Sequence, residues 1–202
     1  LKEVHHRVKN NMQVISSLLN LQSRRVKDPA VFEMFRESQR RIRSMALIHE
    51  RLYQSSDLSR IEFSQYLRGL AAHLFHSYQA DSSRIHLKID AEVVFLNINT
   101  AIPCGLIVNE LVSNALKHAF PEGRTGLVNI DLHRTAERGY VLRVKDDGVG
   151  FPEGLDFRKT ETLGMQIINT LVEQIEGRLE LSRDKGTAFR LEFNELPLKK
   201  SS

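Results

Sequence analysis

Apolar side chains recur at steps of three and four over the first 53 residues, which is the spacing that lines one face of a helix. One such row precedes the stretch "KDPAVF" and a second row follows it. Pro29 should separate two helices, because proline biases the preceding residue away from helical geometry and suits the first turn of a new helix. The pattern predicts an antiparallel hairpin whose first helix runs to about Lys27. The first row comprises Val4, Val8, Asn11, Ile15, Leu18, Gln22 and Val26. The second row comprises Phe32, Phe35, Gln39, Ile42, Ala46, His49 and Tyr53.

A hairpin of two helices cannot cover both of its apolar rows by itself. We therefore expect it to pair with a second copy as a dimeric four-helix bundle. The small polar residues of "YQSSDLSRIEF" then interrupt the helical pattern. We expect a domain boundary there, with residues 1–58 forming the hairpin and residues 59–202 forming a second domain.

The second domain mixes helical and strand patterns. Helices are predicted at about 63–78, at 100–119, and from "TLGMQ" to Gly177, which should end the third of them. Strands are predicted at "RIHLKID", "LVNIDL", "YVLRVKD", "RLELS" and "GTAFRLEF". This order favours an α/β sandwich, that is, an α+β domain with one mixed sheet and helices on one face.

Composition limits the class of protein. The 202 residues are 41% hydrophobic and 27% charged, which is typical of a globular chain. A single cysteine, Cys104, excludes a disulfide framework and fits a reducing compartment. No apolar run approaches the roughly 20 residues that span a bilayer, so we expect a cytoplasmic segment without membrane contact. The chain lacks an initiating methionine and opens directly on helical pattern, so we expect a further part upstream.

Positive charge is concentrated in the hairpin. Residues 1–60 carry 12 Lys and Arg against 6 Asp and Glu, whereas the other residues carry 17 against 19. Such a basic surface is typical of a solvated helix face, of a site for an acidic protein, or of a site for nucleic acid. No aromatic residues are interleaved with these charges on the first helix, which argues against nucleic acid.

Four chemically able side chains lie on one face of the helix "GLIVNELVSNALKHAF". Glu110, Asn114, Lys117 and His118 follow one another at i, i+4, i+7 and i+8. An amide oxygen is a suitable ligand for Mg²⁺, and a lysine supplies a point charge to phosphate. Taken alone, a stripe of this kind is more often an ordinary polar helix face.

A second candidate lies where the strand "YVLRVKD" ends. Asp146 is followed by Gly148 and Gly150, so a carboxylate stands beside backbone that a ligand can approach closely. Gly164 stands at a helix entrance, where free N–H groups can receive phosphate. Thr187 begins the last strand. Each signal alone is also typical of an ordinary turn or cap.

In this order, "NELVSNALKH", "DDGVGFPEG", "TLGMQ" and "GT" resemble the N, G1, G2 and final boxes of the ATP-binding fold shared by histidine kinases, gyrase, the Hsp90 chaperone and the MutL repair protein. The resemblance covers about residues 95–195 and implies ATP and Mg²⁺ as cofactors. It implies that Asp146 accepts a hydrogen bond from the adenine amino group. Gly148 and Gly150 would open the adenine pocket, with Thr187 near the base.

The resemblance also assigns the phosphate end of the site. It implies that Asn114 coordinates Mg²⁺, that Lys117 meets the phosphates beside His118, and that Gly164 lies in the lid. The lid box has one glycine where a GxG pattern is common, so the lid is short. Many sensor kinases carry Asn where this chain has Glu110. Glu110 is therefore a candidate either for the general base or for a residue that holds the metal through a water molecule.

The first helix, "EVHHRVKNNMQVISSLLNLQSR", resembles the phosphoacceptor segment of the histidine kinase branch called HisKA_2, close to the HWE kinases. Its HRxxN motif falls on His6, Arg7 and Asn10. At about 100° per residue, His6 points about 160° away from the apolar row, as an exposed acceptor requires. His5 borders that row and is the second candidate, and His49 is expected to be a bundle histidine.

The resemblance implies a sensor histidine kinase that autophosphorylates His6 and passes the phosphoryl group to an aspartate of a response regulator receiver domain. We expect a homodimer whose upstream sensor domain lies outside this chain, and a basic hairpin that suits the acidic receiver. Asn10 would orient the imidazole or the phosphate. Arg7 occupies the position where many sensor kinases have an acidic residue, so the general base stays open between Glu3 and Glu110.

Two alternatives from other classes remain. An ATPase or an anti-sigma-type serine kinase shares the ATP fold but lacks an acceptor hairpin, so residues 1–53 argue against it. A degenerate nucleotide-binding sensor would be favoured by the loss of Asn114 or Asp146, and both residues are present.

Overall fold

The computed structural model describes residues 2–53, 60–78, 80, 83–160 and 162–197, with the backbone alone for residues 2–6, 9, 47–49 and 51–53. The chain forms two compact units, Leu1–Leu58 and Ser59–Ser202. Among the described residues, no helix combines the length and the apolar character that crossing a membrane requires.

The first unit is the predicted helical hairpin, of α1 (Lys2–Ser23) and α2 (Pro29–Tyr53). Asp28 caps α2, since its Oδ1 accepts hydrogen bonds from the N–H groups of Ala30 at 2.8 Å and Val31 at 3.3 Å. The predicted end of α1 near Lys27 is wrong. The helix ends at Ser23, whose hydroxyl donates to the carbonyl of Asn20 at 2.9 Å, and the chain then turns tightly.

The hairpin has little interior of its own. Among its described side chains only Ser23 and Ser44 are buried. Several large apolar side chains of this unit are exposed instead, including Ile15 at 47% and Leu18 at 55%. Exposed apolar rows of this length are typical of helices that pack against another chain, so the expected pairing with a second copy stays a prediction with a physical basis.

The second unit is built on a five-stranded mixed sheet. Its strands are β2 (Ile85–Ala91), β4 (Gly126–Arg134), β5 (Tyr140–Asp146), β6 (Arg178–Ser182) and β7 (Thr187–Phe193), in the order β2-β4-β5-β7-β6. Strands β2 and β4 are parallel and the other pairs are antiparallel. Burial alternates along β4 and β5, so one face of the sheet is covered, as the sequence predicted.

Helices α3 (Phe63–Ser77), α4 (Ile98–Asn114) and α5 (Leu163–Gln174) complete this unit. Its core includes Ile107 of α4, Ile130 of β4, Leu142 of β5 and Ile168 of α5, each at most 1% exposed. A second sheet of only two residues per strand pairs β1 (Ile61–Glu62) with β3 (Phe95–Leu96). Strands this short carry no measurable period, and sequence reasoning missed them.

Two helix ends differ from the sequence prediction. The predicted helix 100–119 begins at Ile98 and changes at Ala115 into a π-helical turn, Ala115–Ala119, followed by a short 3₁₀ turn, Pro121–Gly123. Helix α5 ends at Gln174, and the left-handed residue that follows it is Glu176, at φ 53°, and not Gly177. Gly177 donates its N–H to Val172 at 2.9 Å, and a Cβ there would stand 3.0 Å from Leu191, so close packing on β7 requires the glycine.

Asn97 joins the start of α4 to the C-terminal tail of the second unit. Its side chain caps α4 by accepting from the N–H groups of Asn99 at 3.0 Å and Thr100 at 3.3 Å, and it donates to the carbonyl of Leu196 at 2.5 Å. Asn97 is 4% exposed, so water cannot replace these contacts.

Asn97→Ala should lower the free energy of unfolding of the second unit by about 2 kcal/mol, because it removes a helix cap and leaves the partly buried carbonyl of Leu196 without its donor. Asn99→Ala is the matched control. Its amide reaches the same tail, at Pro197, over 3.5 Å at an exposed position, so its loss should stay below about 0.5 kcal/mol. Urea denaturation followed by tyrosine near-ultraviolet circular dichroism measures both. Equal losses would contradict the role of Asn97.

Candidate functional site

Three segments of the second unit converge at the end of β5. The β5 end leads into residues 146–150, the π turn after α4 ends at Ala119, and Gly186 precedes β7. Val149 donates its N–H to the carbonyl of Ala119 at 3.0 Å. A Cβ at Gly148 would overlap the backbone and side chain of Ala119, and a Cβ at Gly186 would overlap the carbonyl of Asp146. The two glycines therefore allow the three segments to touch.

Asp146 is the carboxylate at the centre of this junction. It is only 6% exposed, and its Oδ1 accepts hydrogen bonds from the N–H groups of Gly148 at 3.0 Å and Thr187 at 3.3 Å. Burial raises the pKa of Asp146, and the two backbone hydrogen bonds oppose part of that rise. The carboxylate is thus held rigidly in a dry setting, as a group that reads one polar edge of a ligand should be.

Thr187 lies opposite Asp146 because the two are register partners on β7 and β5. The turn before β7 needs Gly186, which has φ 113°, a region that side chains rarely tolerate. Gly150 likewise has φ 88°. The structure therefore brings together the sequence-predicted residues Asp146, Gly148, Gly150 and Thr187.

The polar face of α4 is only partly what the spacing predicts. Glu110 is 3% exposed and accepts a hydrogen bond from the amide of Asn109 at 3.2 Å. Asn114 is half-buried at the last α-helical residue, and His118 is exposed. Lys117 lies in the π turn, with its Nζ 5.9 Å from the centre of the Tyr78 ring. A single stripe at 100° per residue is wrong for this segment, since a π turn accommodates an extra residue per turn.

Beyond Gly150 lies the segment that the sequence resemblance assigns to a lid, residues 151–164, which we call the lid region. Gly164 is buried in the first turn of α5, whose N-terminal side carries two threonine hydroxyls 2.8 Å apart, those of Thr160 and Thr162. Thr160 also accepts the N–H of Thr162 at 3.0 Å. Sequence reasoning did not single out these threonines, although hydroxyl residues before an apolar run are a recognised signal of a helix start.

The first half of the lid region packs firmly on the sheet. Phe151 and Phe157 each meet the ring of Phe189 edge to face, at 5.8 and 5.6 Å. Arg183 lies over Phe151 and donates to the carbonyl of Leu155 at 2.7 Å. A cavity of about 750 Å³ lies alongside, between residues 153–158 and β6, and contains none of the sequence-predicted residues. None of these aromatic and arginine contacts was predicted.

Metal-ligating side chains also meet away from this junction. Among the described residues, Asp90, Asp131 and His133 form one group whose candidate ligand atoms all lie within 4.8 Å of one another. Asp131 already accepts from Asn129 at 2.7 Å, and the ring of His133 lies 3.4 Å from Glu92. These partners account for the group without a metal ion. Asn114, the sequence-predicted metal ligand, is not part of it.

The phosphoacceptor candidates belong to the first unit. His6 lies in α1 as predicted, but the side chains of Glu3, His5, His6 and His49 are outside the described residues. The side chain of Asn10, one turn after His6, is exposed. The exposure predicted for His6 is therefore not tested by the structure.

The chain matches two protein families. Residues 3–78 match HisKA_2, described as histidine kinase, and residues 99–199 match the histidine kinase-, DNA gyrase B-, and HSP90-like ATPase family. The sensor histidine kinase PdtaS of Mycobacterium tuberculosis is 34% identical over 191 residues, which are 93% of this chain and 38% of PdtaS. The blue-light-activated histidine kinase 2 of Erythrobacter litoralis is 32% identical over 193 residues, 91% of this chain and 53% of that protein.

A solved structure agrees with these matches. The Erythrobacter litoralis EL346 blue-light activated histidine kinase has a TM-score of 0.73 and 27% identity to this chain, over 95% of this chain and 57% of that one. These findings confirm the resemblance and the fold class predicted from the sequence. Because the ATPase match covers half of the residues and the HisKA_2 match precedes it, the chain belongs to the histidine kinase family, with a HisKA_2 segment followed by an ATPase domain of the gyrase and HSP90 type.

Proposed function

We propose that this chain is the kinase core of a two-component sensor, which transfers the γ-phosphoryl group of ATP to His6 and then to an aspartate of a response regulator. The observation that carries the proposal is the buried Asp146 carboxylate, held by two backbone N–H groups beside a glycine-lined turn. The histidine kinase family supplies the context, since its members act with response regulators and commonly as dimers.

At the adenine end, Asp146 would accept a hydrogen bond from the exocyclic amino group of the base. Its backbone donors fix Oδ1, so the carboxylate would reach the ligand without reorganising. Gly148 and Gly150 would let the base approach the backbone closely, with Thr187 at its edge. A buried, ionised acceptor favours a base that presents N–H donors. Adenine presents an amino group at the position where guanine presents a carbonyl.

At the phosphate end, the half-buried amide of Asn114 would hold Mg²⁺, an ion that prefers oxygen ligands. Bound there, the ion would offset negative charge on the transferring phosphoryl group. Lys117 and the exposed His118 would face the phosphates. Gly164 would offer them a backbone N–H group in the first turn of α5. Glu110 is buried beside Asn114 on α4, which suits a group that orients a ligand or a water.

Transfer to His6 would complete the proposed reaction. A neutral imidazole nitrogen is nucleophilic near its pKa of roughly 6.5, so it needs alignment more than activation. Its lone pair would attack the γ-phosphorus as the bond to the bridging oxygen breaks, which leaves ADP and a phosphorylated histidine. Asn10, one helical turn later, would orient the ring or the phosphate. Glu3 and Glu110 are both candidates for the group that takes the ring proton.

We infer a homodimer from the exposed apolar rows of the hairpin, and a cytoplasmic setting from the use of ATP and a response regulator. The positive charge of residues 1–60 suits the acidic active site of a receiver domain. The anti-sigma-type alternative is disfavoured by the HisKA_2 match over residues 3–78.

Incubation with γ-labelled ATP and Mg²⁺ tests the acceptor. We expect a protein-bound label that is lost in acid and retained in base, as a phosphohistidine requires. His6→Gln should abolish the label, whereas the matched variant His5→Gln should keep it, because the HRxxN motif nominates His6 as the nucleophile. The reverse pattern would move the acceptor to His5, and an unlabelled wild-type chain would contradict the proposed activity.

Asp146→Asn tests the buried acceptor. At about pH 8, ADP should bind about 10- to 100-fold more weakly, since a hydrogen bond to a charged group is worth roughly 1.5–3 kcal/mol. Burial raises the pKa of Asp146, so the wild-type carboxylate is protonated at a higher pH than an exposed aspartate. The advantage of the wild type should therefore shrink as the pH falls through that raised pKa, because asparagine does not titrate.

Isothermal titration calorimetry between about pH 5 and 8 measures the ratio of the two dissociation constants, in which the titration of ADP itself cancels. Asp90→Asn, a change at an exposed carboxylate on β2, is the control and should bind ADP like the wild type. A ratio close to one at pH 8 would argue against an ionised Asp146 as the acceptor.

Gly148→Ala tests the close approach of the turn to Ala119. The added Cβ must displace backbone, so we expect a loss of about 2–3 kcal/mol of unfolding free energy together with weaker ADP binding. Gly154→Ala is the matched control, since Gly154 has φ 76° but nothing within 4 Å of a Cβ. It should lose only about 1 kcal/mol from backbone strain and keep its ADP affinity. Urea denaturation and calorimetry report both quantities, and equal losses would rule out tight packing at Gly148.

A further inference from the structure

Asp147, the residue after the buried carboxylate, has no role in the function proposed above. It is exposed, yet its Oδ1 accepts the N–H of Leu127 at 2.7 Å, and its own N–H points to the carbonyl of Leu127 at 3.3 Å. The last register pair of β4 and β5 is Val128 with Asp146. Asp147 therefore continues that pairing one step past the strand end, with a side-chain oxygen in place of a backbone one.

Arg124 holds the same residue from a second direction. Its Nη2 donates to the carbonyl of Asp147 at 2.8 Å. The carbonyl of Arg124 in turn lies 3.4 Å from Nη2 of Arg84, whose own carbonyl accepts the N–H of Gly126 at 2.9 Å. The segment before β4 is thus tied to the start of β2, and it forms a fixed support for Asp147.

Gly126 makes this contact possible. A Cβ at Gly126 would stand 2.5 Å from Oδ1 of Asp147 and would overlap the ring of Phe120. Adjacent residues share a rigid peptide plane, so a fixed Asp147 restricts the backbone of Asp146. The opposite side of the turn is fixed separately, by Gly148 against Ala119.

We propose that Asp147, held by Arg124 and by the backbone of Leu127, is a positioning residue that aims the Asp146 carboxylate and thereby sets the preference for adenine over guanine. The proposal rests on the proposed role of Asp146 in reading the adenine amino group. Asp147 does not touch the nucleotide. Because its carboxylate lies in water and outside the core, its removal should loosen the turn without unfolding the domain.

The full chain is titrated calorimetrically with ADP and with GDP. Asp147→Ala should raise the ADP dissociation constant about tenfold, as expected for the loss of one well-formed hydrogen bond to a charged acceptor. The GDP constant should change less than about twofold, because guanine gains nothing from a well-aimed acceptor at that edge. Asp147→Asn keeps a side-chain oxygen for the N–H of Leu127 and should stay within about twofold of the wild type for both nucleotides.

Arg124→Met should raise the ADP constant about threefold, since it removes only the donor to the Asp147 carbonyl. In an Asp146→Asn background, Asp147→Ala should add no further change, because the group that it positions is gone. Asp90→Ala and Arg178→Met remove an exposed carboxylate and an exposed guanidinium elsewhere on the sheet, and both should bind ADP like the wild type.

An unchanged ADP constant in Asp147→Ala, or an equal weakening of ADP and GDP, would overturn the proposal. If Asp147→Ala does not fold, Arg124→Met decides, and a wild-type ratio of the ADP and GDP constants in that variant overturns it. A different failure is distinguishable. If Asp146→Asn alone leaves the ADP constant unchanged, the proposed role of Asp146 falls, and the positioning role of Asp147 falls with it.

Discussion

A carboxylate held in a dry junction is the constraint on which the second unit depends. Asp146 ends β5 at a point where water is largely excluded, and an ionised group there is costly unless hydrogen bonds offset the lost hydration. Two backbone N–H groups, from Gly148 and Thr187, provide that compensation. They do so only because the turn, the last strand and the end of the π turn lie in contact, which in turn requires glycine at positions 148 and 186. The register of the sheet and the geometry of the turn therefore together determine the chemistry of the site.

The two units of the chain differ in how far they bury their apolar side chains. The sheet unit closes its own core, with side chains such as Ile107 and Ile130 fully buried between helices and strands. The hairpin leaves Ile15, Leu18 and other large apolar side chains in water, and its described buried side chains are two serines. Exposed apolar rows on a slender hairpin make sense for a module that must bind another chain, which is consistent with the dimer and regulator partners proposed for it.

The proposed site has two ends that are built differently. At the proposed adenine end, Asp146 has a fixed position. Asp147 forms two hydrogen bonds with Leu127 of β4 and a third with Arg124, which precedes β4. At the proposed phosphate end, Asn114, Lys117 and His118 lie where α4 changes into a wider π turn. Gly164 lies in the first turn of α5, after two threonine hydroxyls. In the proposed kinase, the first end would recognise the base and the second end would align the phosphates.

The sequence by itself determined the hairpin and the order of the long helices and of the five long strands along the chain, because both depend on local periodicity. It also nominated the residues of the proposed site, from residue type at a fixed spacing. Pro29 marked the start of α2, and "DDGVG" marked the mouth of β5. Only the tertiary structure decided the rest. The π turn that contains Lys117 and the left-handed Glu176 after α5 have no periodic signal in the sequence, and the support of Asp147 by Arg124 joins segments 23 residues apart. Features of this kind produce no periodic pattern in the sequence. Their free energy depends on which backbone segments meet in the fold, and not on which residues are neighbours in the chain.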